Sequence, residues 1–78
     1  MLDRQLNAVL TVLNDFSDGA YKIIDADEII AKLSDSDRCT KVELSGIIRT
    51  LSDNDYIKVK YSTVDEYCLA TLAKARGI

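Results

Sequence analysis

Histidine and tryptophan are absent from this 78-residue chain, which holds two cysteines, one phenylalanine and three glycines. Without His, and with no C-x-x-C pair, there is no zinc-ligand spacing. No serine is paired with a base and no glycine-rich loop could cradle a phosphate, so no catalytic constellation can be assembled. The expectation is a protein that is not an enzyme and carries no metal or other cofactor. Cys39 and Cys68 are too few for a disulfide scaffold and read as reduced thiols. No apolar run reaches membrane-spanning length, and Asp3, Arg4, Gln5 and Asn7 interrupt the first apolar residues, unlike a signal peptide. A soluble, cytoplasmic protein is expected. With no repeat, low-complexity stretch or linker, residues 1–78 form one domain.

What is present suits a small globular fold with an aliphatic core: 47% of residues are hydrophobic and 29% charged. The net charge of −3 is unevenly spread. Residues 1–37 hold three basic and eight acidic side chains, whereas residues 38–78 hold seven basic and five acidic. The cations therefore gather in the second half.

Apolar spacing from Leu2 through Leu6, Leu10 and Leu13 predicts a helix over 2–16, stopped by Ser17-Asp18-Gly19. Residues 20–24 read as a brief extended segment. Asp25, with Glu28 three positions on, reads as a capping pair that opens a helix over 26–33. Ser34-Asp35-Ser36-Asp37 is a loop, its side chains competing for backbone hydrogen bonds. Thr40 and Glu43 repeat the capping pattern before a helix over 41–53, whose buried stripe is Leu44, Ile47, Ile48 and Leu51. Asn54 or Asp55 supplies the left-handed residue that ends it. The period then changes to two, giving strands over 56–61 and 67–70 around a loop at Ser62–Glu66. Thr71 to Gly77 reads as a short terminal helix or turn. The expected core is Leu6, Leu10, Leu13, Ile30, Leu33, Leu44, Ile47, Ile48, Leu51, Ile57 and Leu69.

This order of helix, short strand, two helices and hairpin resembles the winged-helix superfamily, especially at LSDNDYIKVKY over 51–61. There a leucine ends the helix, a left-handed residue turns the chain, and an aromatic and a β-branched residue start the wing. Asp55 stands where those families usually have Gly. The resemblance implies an α+β, mainly α fold: three helices followed by a two-stranded wing. It also implies DNA binding, as in small bacterial and archaeal transcriptional regulators. Lys41, Ser45, Arg49 and Ser52 form one stripe on the third helix, with Arg38 just before it and Lys58 and Lys60 on the wing. Arg suits a guanine edge, Ser adapts to base or phosphate, and Lys suits phosphate. So little basic charge predicts a homodimer, with helix one or the segment carrying Leu72 and Ile78 as its surface.

Each assignment has a plainer counterpart. The stripe is also what any solvated helix face looks like, and Lys58 and Lys60 could equally guard an edge strand. Gly46 either lets helices cross closely, clears the outer face for a phosphate backbone, or has no special role. Cys39 beside a helix start could have a lowered thiol pKa, whereas Cys68 reads as core. The acidic residues Asp25, Asp27, Glu28, Asp35 and Asp37 lack the order of a calcium loop and read as a solvated face. The alternative function is a protein-interaction module of the same fold, and a third is a nucleic-acid mimic built on the acidic half.

Overall fold

In a computed structural model that describes residues 3–77, helix α1 spans Arg4–Phe16. Leu2 and Ile78, assigned above to helix one and to a dimer surface, lie outside the described residues. Asp3 is the N-cap of α1, its Oδ1 accepting from the Leu6 N–H at 2.9 Å. The helix buries Val9, Leu10, Val12 and Leu13 and ends at Ser17, whose backbone is extended. Gly19, at φ +113°, then turns the chain back.

Strand β1 (Lys22–Asp25) runs directly into α2 (Ala26–Lys32). The expected capping pair does not form: Asp25 is the N-cap, but its side chain makes no cap hydrogen bond. Asp25 is at the same time the last residue of β1, paired with Glu66. The Ala26 N–H donates instead to the Asp65 carbonyl at 2.8 Å. Leu33 is extended rather than helical, so α2 stops one residue short of the predicted end. Residues Asp35–Asp37 form a single 3-10 turn.

Helix α3 (Lys41–Asp53) opens with the full capping box between Thr40 and Glu43. It closes at Asp55, whose φ of 62° is left-handed. The Tyr56 N–H donates to the Leu51 carbonyl and the Asp55 N–H to that of Ser52, a Schellman closure in which Asp55 does the work usually given to Gly.

Strands β2 (Ile57–Ser62) and β3 (Glu66–Thr71) follow, each shifted slightly from its predicted bounds, and the loop contracts to residues 63–65. The segment before α2 is more than extended: β1 pairs with β3, so the sheet has three antiparallel strands in the order β1-β3-β2. The result is an α+β architecture compatible with a winged helix. Among the described residues, no helix is long and apolar enough to cross a membrane.

One sheet face, carrying Ile24, Ile57, Tyr67 and Leu69, is buried with Leu13, Ile29, Leu44 and Leu51 of the helices. Leu6 and Ile30, expected in the core, are only half-buried at its rim. Val9, Val12, Ile24, Ala26, Ile29 and Tyr67 complete it. A β-bulge at Lys60 breaks the alternation predicted for β2: Val59 pairs with Leu69 but Tyr61 with Cys68, so Tyr61 joins the lysines on the outer face. The period of two read from the sequence, which puts Ile57, Val59 and Tyr61 on one side, fails at this bulge. Cys68 is buried, but on the outer face with Ala70 and apart from the helix-side core.

Ser17 and Thr71, both buried, join the end of α1 to the end of β3. Ser17 Oγ accepts from the Thr71 N–H at 3.2 Å and donates to the Ala20 carbonyl at 2.7 Å, while Thr71 Oγ1 donates to the Ser17 carbonyl at 2.9 Å. Replacing Ser17 with Ala strands a buried N–H, so Ser17→Ala is expected to cost about 1–3 kcal/mol in chemical denaturation. An unchanged denaturation midpoint would show that the junction carries no stability.

Candidate functional site

The capping box fixes the direction in which α3 leaves the preceding turn, and the buried stripe fixes its rotation about its own axis. Ser45, Arg49 and Ser52 consequently meet Val59 and Ser62 of β2 across a groove of about 300 Å³, floored by Ile48 and flanked by Asp53. Three residues of the predicted stripe are thus brought together with the hairpin. Ser62 was not singled out from sequence; the bulge turns it inward, and nothing in the alternation announces that shift.

Tyr67 sits fully buried beside this groove, paired across the sheet with Ser62. Among the described residues its hydroxyl has no hydrogen-bond partner, although Ser45 stands near it. Burial pushes the phenol up from its ordinary value, with the proximity of Ser45 opposing the rise.

The remaining predicted residues are placed differently. Lys41 Nζ lies 2.9 Å from Asp65 Oδ1 and 3.6 Å from Asp27 Oδ2, so its charge is already met by two carboxylates. The Asp65 hydrogen bond and the two negative charges raise its pKa. Arg38 faces Asp35 at 3.3 Å in an exposed pair. Lys58 and Lys60 point from the outer sheet face, away from α3, and Lys60 Nζ lies 5.9 Å from the centre of the Tyr21 ring. Arg49 makes no ion pair among the described residues. The seven predicted residues therefore do not form one basic surface.

Gly46 is exposed, and a Cβ added there would meet nothing within 4 Å. That overturns close helix crossing as the reason for this glycine. Cys39 is half-buried, and burial together with the nearby Glu43 charge raises its thiol pKa, the reverse of what a reactive cysteine needs. Compared with protein-family models and with curated proteins, the sequence matches none.

Two outcomes follow from the helix itself. Gly46→Ala is expected to stabilise the fold by about 0.8–1 kcal/mol, because helix propensity improves with no steric cost; a lower melting temperature would contradict an open site. Glu43 accepts from the Thr40 N–H at 3.0 Å, which holds its carboxyl below the ordinary 4.5. A depressed carboxyl contributes stability above its unfolded pKa and loses it as pH falls through the folded value. Melting temperature should therefore fall more steeply with acid in the wild type than in Glu43→Gln, and parallel curves would dismiss this linkage.

Proposed function

We propose that this chain is a winged-helix DNA-binding protein, a small transcriptional regulator in which α3 reads the major groove and the β2–β3 hairpin is the wing. The observation that carries the reading is the convergence of Ser45, Arg49, Ser52 and Ser62 on one groove, beside a helix surface left bare at Gly46. Arg49 supplies a planar fork of donors suited to a guanine edge or a phosphate, and the serine hydroxyls adapt to either. A helix without a side chain at its outward position lets a phosphate backbone come close.

Electrostatics sets the strength. Lys41 and Arg38 must exchange carboxylates for phosphates, and Asp53 flanks the groove, so each protomer contributes little net charge to a polyanion. A monomer would bind weakly, and useful affinity requires a homodimer on two half-sites. With Arg49 as the main cation, the slope of log affinity against log salt should be shallow, about −2 to −4 for a dimer.

One observation favours a second reading. Val42 of α3 and Val64 of the hairpin loop are 75% and 57% exposed. Each is next in sequence to a residue of the Lys41–Asp65 bridge, which brings the two near each other. Exposed apolar side chains so placed suit a protein partner.

Arg49→Ala is expected to lose about 1–3 kcal/mol at the preferred site with flattened sequence preference, measured by fluorescence anisotropy on selected and random duplexes. If the wild type shows no salt-dependent affinity for any duplex at ~50 mM salt, the DNA reading fails, and the surface around Val42 and Val64 is the one to probe with proteins.

A further inference from the structure

Among the described residues, no helix packs against the outer face of the sheet. Strand parity sorts its side chains into three rows. Lys58 pairs with Ala70, and Tyr21 extends β1 to the same level. Ile23, Cys68 and Tyr61 form the middle row across all three strands. Asp25 and Glu66 form the last. Ile23, Tyr21 and Tyr61 are 64%, 46% and 40% exposed. Ala70 and Cys68 are nonetheless covered, because Lys60, bulged out of β2, reaches across the middle strand to the Tyr21 ring on the far one. The face is therefore cationic at one end through Lys58 and Lys60, apolar in the middle, and anionic at the other end through Asp25 and Glu66.

That polarity is self-complementary. A two-fold axis lying in the plane of contact and perpendicular to the strands turns one copy onto another. It sets the cationic row of each over the anionic row of its partner and stacks the middle rows together. Two sheets packed this way stand about 10 Å apart, the ordinary spacing of stacked sheets. The rotation leaves β2 of one copy over β2 of the other, so both α3 grooves open on the same side of the pair. From the row charges and the exposed aromatic and aliphatic side chains, we infer that the outer sheet face is the surface on which two copies of this chain associate. Helix one and the terminal segment are not needed for this contact.

The footprint is small. Three strands at about 4.8 Å spacing and six residues at about 3.3 Å rise cover roughly 300 Å² per copy. Standard interfaces bury about 800 Å² per partner, so the dimer is a weak one in exchange with monomer. Attraction between the charged rows makes it weaker at high salt.

The inference does not rest on DNA binding, and its test uses the full chain without nucleic acid. Sedimentation equilibrium of the wild type, from ~10 μM to ~1 mM at low salt, should show reversible monomer–dimer exchange. Ile23→Asp should abolish it while circular dichroism keeps the helical signal. Lys58→Glu and Glu66→Lys should each weaken association about tenfold or more, since like charges then face each other. The double variant Lys58→Glu/Glu66→Lys should return to within a few-fold of wild type, a recovery that a merely structural role for either residue would not produce. A wild type that stays monomeric at ~1 mM overturns the inference, as does a double variant no better than the singles. Either result leaves the duplex titration of the preceding section to decide the DNA reading separately.

Discussion

The last strand of the chain is the middle strand of the sheet, and the rest of the fold depends on that placement. β3 must find β1 on one edge and β2 on the other, so backbone bonding joins residues near the start of the chain to residues near its end. Tyr67 and Leu69 of β3, both fully buried, are then pressed under the helices. Because β1 flows into α2 without a loop, fixing β1 against β3 also fixes where α2 begins. The Ala26 N–H closing on the Asp65 carbonyl and the Ser17–Thr71 bonds tie the two ends of β3 to the helical layer. A contact between such distant residues costs loop-closure entropy before it returns any burial, which makes the strand's full complement of bonds a requirement.

Holding the hairpin loop against the helices has an electrostatic consequence. Lys41, on the first turn of α3, bridges Asp27 of α2 and Asp65 of the loop, joining three elements through one ammonium. As an exposed network it adds little stability, since surface pairs are screened and lose side-chain entropy. Its larger effect is on the surface it leaves. The cation nearest the start of α3 is already neutralised, and the lysines of β2 face the other way. An inventory of charges by sequence half gives no hint of this, because it counts Lys41, Lys58 and Arg49 as one basic cluster while the fold assigns them to three environments.

The helices and the hairpin were legible because each rests on local chemistry. The Thr40–Glu43 box, the left-handed Asp55 and the Leu44–Leu51 stripe are short-range signals, and they placed α3 correctly. Asp25 and Glu28 satisfied the same capping pattern, and Asp25 is the N-cap, yet its side chain makes no cap hydrogen bond; the same residue ends β1 opposite Glu66, a long-range pairing that the local pattern does not register. The bulge at Lys60 was invisible for a related reason: Ile57, Val59 and Tyr61 alternate perfectly in sequence, and only the pairing of Tyr61 with Cys68 reveals the change of face. The groove was half legible: Ser45, Arg49 and Ser52 follow from helical spacing, whereas Ser62 enters only through that bulge.

Two backbone choices on α3 run against stability, and in opposite senses. Gly46 occupies an exposed interior position where Ala would be about 0.8–1 kcal/mol better. Asp55 occupies a left-handed position where a side chain costs about 1–2 kcal/mol that Gly would not incur. Elsewhere on α3 the local rules and the fold agree: the capping box is complete and the buried stripe is continuous. A sequence under selection for stability alone would place Ala at 46 and Gly at 55. Where local preference is violated without a packing reason, function is the usual cause. Packing is excluded at Gly46 by the empty space around it, so the outward face of α3 is one part of this molecule whose composition stability does not explain.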